Sequence, residues 1–330
     1  MTPADVLRPP STNDPTANAY KDWLHLNVFD FERGNVAILN ASLHGAPDDS
    51  RSLAVGVGLV RHPERGWIGE VETGPLADAA VGRAGIGLGN MAIAIARNNV
   101  LARERASFAP IEIDLDANPV AHPIDSGERF PFATGWIGWR AIPRLEVSGR
   151  YAIAERPIDL DRSAAYHDHN WGRWFWGDDI GWEWGAFLAP RGPSFVFTVV
   201  TNRSHQHRGP ATLTLDDGAR RRTWTGSQLH LQLSGRLEHL DRRLPGALAA
   251  LHQDRAHPSL PRSIAVEADD GFDRAALQIE VESAVQLITA DPIARGYSFI
   301  HEMVGDFFYR TNIGGRAREG WGLGVFEYVD

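Results

Sequence analysis

The segment YHDHNWGRWFWGDDIGWEWG, Tyr166 to Gly185, gathers groups able to do chemistry: five of the chain's eleven tryptophans lie there with His167, Asp168, His169, Asp178, Asp179 and Glu183. A packed core needs only the aromatics, and a solvated loop only the charges. As an extended strand, Tyr166 to Trp171 puts Tyr166, Asp168 and Asn170 on one face and His167, His169 and Trp171 on the other. A carboxylic acid set against aromatic walls loses hydration in its charged form, so it holds its proton towards neutral pH. Such an acid can protonate an alkene. The carbocation that results is stabilised by electron-rich ring faces, here Trp171, Trp174, Trp176, Trp182 and Trp184. Asp168 is the candidate acid, with His167 and His169 tuning or orienting it and Tyr166 and Asn170 as hydrogen-bonding neighbours. Glu183 is a second candidate, although its place between Trp182 and Trp184 puts it on the opposite strand face from both, where a solvated or salt-bridged role competes. Packing competes as the role of the tryptophans, and Asx turns as the role of Asp178 and Asp179.

Metal chemistry is the main rival. His167 and His169, and again His205 and His207 in SHQHRG, have the i, i+2 spacing that β-barrel metal sites use, but no third carboxylate ligand can be identified, and no metal is expected. The run GIGLGN, Gly85 to Asn90, lacks the last glycine of a dinucleotide loop and has no βαβ surroundings, so a turn or bulge is expected and no cofactor. The absence of cysteine removes disulfides and thiolate chemistry. A net charge of −9 without a basic stripe argues against a nucleic-acid partner. Nearly all the positive charge is arginine, Lys21 being the single lysine. Neither a signal-peptide core nor a run of about 18 apolar residues is present, giving the expectation of a soluble, cytoplasmic protein.

The elements that must position these groups follow a period of two. NVAILNASLHG, SLAVGVGLV, SFVFTVVTN, QLHLQLSG and ALQIEVESAVQLITA alternate or run apolar and then meet Gly, Asp, Asn or Pro, the rhythm of short antiparallel strands in a sandwich or barrel. Helix is expected in two places at most, LGNMAIAIARNNVLARERA and LPGALAALHQDRA, the first being ambiguous because MAIAIA also alternates. At 330 residues the chain has room for two domains, and the interruption at AERPIDLDRS, Ala154 to Ser163, suggests a boundary just before the aromatic segment.

YHDHNWG followed by GWEWGAF, with YKDWLHLNVFD near the start and GWGLGVFEYVD at the end, resembles the carotenoid 1,2-hydratase and AttH-like family. The resemblance implies an all-β chain of two lipocalin-like (calycin) antiparallel β-barrels packed against each other, here residues 1–160 and 161–330, with the YHDHNWG motif opening the second. It also implies a lipophilic, unsaturated small-molecule substrate and cofactor-independent hydration, isoprenoid cyclisation or cycloaddition. Trp23, in the first of these stretches, joins the substrate-binding candidates. The expected function is protonation of a C=C bond in an isoprenoid or polyene, followed by cyclisation or water addition. A shape-directed pericyclase acting on a polyketide polyene and a non-catalytic carrier of a lipophilic ligand are the alternatives, and transient contact with a membrane surface would serve substrate uptake.

Overall fold

The computed structural model describes residues 6–11, 13–96, 99–105, 111–126, 129–153, 156–160, 163–245, 260–291 and 296–330. The chain is all-β, and it divides into two compact units, residues 1–178 with 290–297 and residues 179–289 with 298–330. Among the described residues no helix is long and apolar enough to cross a membrane.

The first unit is one antiparallel sheet. Its strands are β1 (Tyr20–Asp30), β2 (Asn35–His44), β3 (Leu53–His62), β4 (Gly66–Pro75), β5 (Ala80–Gly82), β6 (Gly85–Leu88), β7 (Met91–Ala96), β8 (Asn99–Arg105), β9 (Ile111–Pro119), β10 (Ile124–Asp125), β11 (Phe130–Phe132), β12 (Gly135–Ile153), β13 (Arg156–Asp159) and β14 (Ala164–Arg173). The order is β4-β3-β2-β1-β14-β12-β9-β8-β7-β6-β5. The sheet curls until its two ends share a core: Met91 of β7 lies against Gly56 of β3, and Leu88 of β6 against Gly74 of β4, at positions where a larger residue would press on them. Leu24, Leu26, Leu39, Ile93, Ile113 and Leu145 fill the interior. Strand β12 pairs with β14 over its first half and with β9 over its second, and the short strands β10, β11 and β13 also pair with it. The register shift between Ile142 and Leu145 marks the passage from β14 to β9, and Gly149, at φ 122° where a Cβ would collide with the Asp114 carbonyl, permits the close approach of β9.

The second unit is built the same way from β15 (Gly181–Leu188), β16 (Ser194–Thr201), β17 (Thr212–Asp216), β18 (Arg221–Thr225), β19 (Leu229–Ser234), β20 (Arg242–Leu244), β21 (Ser263–Asp269), β22 (Arg274–Ala290), β23 (Tyr297–Ile313) and β24 (Arg316–Val329), in the order β18-β17-β16-β15-β24-β23-β22-β21-β19. Its core is aromatic: Phe187, Phe195, Phe197, Trp224, Phe307 and Phe326.

Two expectations change, the helix around MAIAIA and the domain boundary. The segment around MAIAIA is two antiparallel strands, β7 and β8, because its alternation buries Met91 and Ile93 in a sheet face rather than along a helical stripe. GIGLGN supplies β6 and the turn Gly89–Asn90. The other helical expectation, LPGALAALHQDRA, lies beyond Pro245 outside the described residues. The YHDHNWG strand pairs on both sides within the first sheet, with β1 and with β12, so the motif belongs to the first unit and the chain divides after Asp178 rather than at 160/161. Spacing alone could assign the two faces of an extended β14, while its pairing partners, nearly 150 residues earlier on one side, were not legible.

Candidate functional site

Strand β14 is interior to its sheet, and both of its faces are buried. The face towards the apolar core carries His167, His169 and Trp171, opposite Leu26, Leu24 and Asp22 of β1. His167 donates through Nδ1 to the backbone oxygen of His25 (2.8 Å). His169 donates through Nε2 to Asp22 Oδ1 (2.7 Å), and Asp22 Oδ2 accepts from the Tyr20 hydroxyl and the Arg8 amide (2.8 Å each). The His169 ring lies 4.8 Å from Trp171, whose other neighbour is the Arg8 guanidinium at 4.1 Å. These two imidazoles are therefore tied to β1 and packed into the barrel.

The opposite face carries Tyr166, Asp168 and Asn170. Across β1 they meet Asn27, His25 and Trp23, and across β12 Asp168 and Asn170 meet Ala141 and Trp139. Asp168 is 5% exposed, and the Asn170 amide donates to its Oδ1. His25 donates through Nε2 to Asn27 Oδ1 (2.7 Å) and accepts from the Asn40 amide (3.4 Å). Burial, reinforced by the neighbouring His167 and only partly offset by the Asn27 hydrogen bond, pulls His25 down to about 4, so it is neutral at pH 7. Alternation thus places His167 and His169 away from Asp168, and the imidazole beside the carboxyl is His25, which sequence reasoning passed over. The signal was present in YKDWLHLN, where Trp23, His25 and Asn27 alternate.

The aromatic wall divides. Trp174 and Trp176 are 1% and 3% exposed, stacked edge-on to one another at 5.8 Å, and Trp174 also meets Trp23 (5.5 Å) and Phe132 (5.0 Å). Their faces meet a cation belonging to the protein itself: Lys21 Nζ lies 5.2 and 5.4 Å from the two indoles. That ammonium is fully buried and donates to Asp291 Oδ1 (2.8 Å) and the Trp174 carbonyl (2.5 Å), while Asp291 Oδ2 accepts the Trp176 amide (2.6 Å). Burial pulls Lys21 below the ordinary lysine range, against the pull of Asp291.

In the second unit Trp182 and Trp184 are half-buried on the sheet face opposite the aromatic core. There Glu302 of β23 and Glu327 of β24 stand directly opposite one another, and Trp182 Nε1 donates to Glu327. Burial pushes Glu327 above the ordinary carboxylate range, against hydrogen bonds from Trp182 and Glu302. Two adjoining carboxyls resist double ionisation, so the pair favours sharing a proton. Sequence reasoning missed both, because they lie on strands remote from the motif.

Glu183 points the other way. It is fully buried and accepts from His205 Nδ1 (3.0 Å) and from Arg208 (2.7 Å). Burial raises its pKa, but these partners more than compensate and hold it below the ordinary value. His205 also donates to the Val329 carbonyl (3.0 Å) and stacks on Tyr328 at 3.7 Å. Glu183 is thus an ionised structural anchor for the 202–208 turn. His207 is exposed, and among the described residues no three metal-ligating side chains converge. Asp178 and Asp179 accept turn amides, Asp178 from Phe175 and Asp179 from Arg203.

No protein-family model matches the chain, and no curated protein matches it by sequence. Its fold is that of several solved structures. A candidate AttH from Nitrosomonas europaea shares 15% identity over 98% of this chain and 99% of its own, with a TM-score of 0.69. Kievitone hydratase from Nectria haematococca shares 13% over 99% of this chain and 94% of its own, TM-score 0.61, and CghA shares 10% over 97% and 94%, TM-score 0.60. The resemblance carried by the YHDHNWG and GWEWGAF motifs is thereby met at the level of fold.

Proposed function

We propose that the protein is a cofactor-independent enzyme that protonates a C=C bond of a lipophilic isoprenoid or polyene, with Asp168 as the acid, and lets the cation cyclise or take up water. The observation that carries this is the environment of Asp168: a buried carboxyl on the sheet face away from the apolar core, oriented through Oδ1 by Asn170 and flanked across β1 by His25. A neutral imidazole places no positive charge there, so that neighbour does not favour loss of the proton the reaction needs. Asn170 orients the carboxyl through Oδ1, and Trp23 and Trp139 on the neighbouring strands supply ring surface on the same face. The fold likeness to a hydratase agrees with this reading.

A second acid has its own support. Glu327 is held above its ordinary range and bonded to Trp182, the pairing of acid and indole that alkene protonation calls for.

The test is Asp168→Asn against a panel of acyclic isoprenoids and polyenes on which the wild type turns over. Turnover should fall by about 10²-fold or more while ligand affinity changes little. Unchanged turnover would remove Asp168 from the chemistry. If Glu327→Gln then abolished turnover, the acid would be Glu327. If neither variant lost activity, a shape-directed pericyclase or a carrier would be the better account.

A further inference from the structure

One end of the second unit carries a groove that the reaction does not use. It is shallow and lined by Pro193, Leu215, Thr311 and Ile313 and by Arg220, Arg316, Arg318 and Asp217. Three tight turns build this end. In the turn after β17, Asp217 Oδ1 accepts the amides of Ala219 (3.1 Å) and Arg220 (2.7 Å). In the turn after β21, Asp270 Oδ1 accepts those of Phe272 and Asp273 (2.9 Å each), and Asp269 accepts that of Gly271 (2.7 Å). The third turn, Gly314–Gly315, is tied to the second through the Gly314 amide and Asp273 Oδ1 (2.8 Å). It is tied to the first by proximity, since Arg220 lies so close to Gly314 that a Cβ there would strike its guanidinium.

Six arginines and five aspartates meet at this end, Asp273 being a second carboxylate on Arg222 (3.3 Å). Arg221, Arg222, Arg274 and Arg318 each pair with an aspartate, respectively Asp216, Asp270, Asp269 and Asp217. Arg220 and Arg316 are exposed with no carboxylate partner among the described residues. Beside them Phe272 is 88% exposed at the tip of a turn whose backbone is held by three carboxylate-accepted hydrogen bonds. A phenyl ring projected by a braced turn next to two unneutralised guanidiniums has the chemistry of an interfacial anchor: the arginines attract phosphate headgroups, and the ring enters the headgroup–acyl boundary. The chain as a whole is acidic, at −9, so a local cationic end would also orient it on an anionic surface.

We propose that this end of the second unit docks on an anionic phospholipid surface, with Arg220 and Arg316 gripping headgroup phosphates and Phe272 inserted beside them. The biological purpose, taking up a lipophilic substrate where it is dissolved, rests on the function proposed above, while the docking itself does not. Membrane attraction of about fivefold per arginine makes the interaction weak and reversible, as an exchange between membrane and solution requires.

The experiment is co-sedimentation with vesicles of pure phosphatidylcholine and of phosphatidylcholine with 30 mol% phosphatidylglycerol. Binding is expected to the second only and to weaken with added salt. The Arg220→Gln and Arg316→Gln double variant should lose about 20-fold or more in partitioning, and Phe272→Ser at least tenfold, with unchanged circular dichroism. Turnover of a detergent-dispersed substrate should be unaffected by either variant, so loss of docking and failure of the proposed chemistry are read separately. Equal binding to neutral vesicles, no binding to anionic ones, or binding that survives the double variant would each overturn the proposal. So would an arginine-dependent thermal stabilisation by millimolar inorganic phosphate without vesicle binding, which would make the groove a site for soluble anions.

Discussion

Replacing Lys21 by Met keeps the length and apolar volume of the side chain and removes its charge from the interior of the first unit. Three groups then lose a partner: Asp291 Oδ1 at 2.8 Å, the Trp174 carbonyl at 2.5 Å and, more weakly, the Ala19 carbonyl at 3.4 Å. A buried carbonyl left without a donor costs about 1–3 kcal/mol, and breaking a buried ion pair from one side costs about 3–5 kcal/mol in total. The Trp176 amide still donates to Asp291 Oδ2, which keeps the cost within that range. Loss of the ammonium from between Trp174 and Trp176 adds to it. We expect Lys21→Met to lose about 3–5 kcal/mol in urea unfolding followed by tryptophan fluorescence, and Lys21→Met with Asp291→Asn to lose clearly less than the sum of the single changes. The same burial predicts that an amine-reactive ester leaves Lys21 unmodified until the chain unfolds, as read by mass spectrometry. A loss below about 1 kcal/mol, or strict additivity of the pair, would refute the view that this ammonium holds residues 174–176 and Asp291 together.

Glu183→Gln should destabilise the second unit by about 3–5 kcal/mol and speed hydrogen exchange in residues 202–208, because His205 and Arg208 lose their shared carboxylate; an unperturbed turn would show that the network is ornamental. Burial holds His25 and His301 down to about 4 and His44 to about 3, so none of these imidazoles should titrate between about pH 5 and 8 in histidine NMR. Unfolded, the same rings take up protons below about pH 6.5, so their contribution to stability is complete above that pH and is lost as pH falls towards 4. Glu327, pushed up, and Asp330, pushed up to about 6 by burial, act in the opposite sense over this window. The acid-induced loss should therefore be steeper in Glu327→Gln than in the wild type, and an equal or shallower loss would contradict the assignment.

The period of two in this sequence determined the class of fold and the content of each face. In YHDHNWG it separated Asp168 and Asn170 from His167 and His169 before any partner was known, because a strand turns successive side chains to opposite sides whatever lies there. It also foretold that Glu183 faces away from Trp182 and Trp184. What alternation cannot carry is the identity of the neighbour on each face. That His169 meets Asp22, that the imidazole near Asp168 is His25, and that Trp174 and Trp176 enclose Lys21 all depend on strand pairings and loop returns that join residues 147, 143 and 153 positions apart. The Glu302 and Glu327 pair likewise exists only because β23 and β24 set those positions opposite one another. MAIAIA shows the limit from the other side. Its spacing satisfies a strand, its composition allows a helix, and the shared core of a curled sheet decided between them by burying Met91 and Ile93. Local spacing is a property of the backbone and is written in the sequence. Which carboxyl is pushed up, which is held down and which ring is already occupied are set by desolvation and by partners that only the folded chain brings within reach.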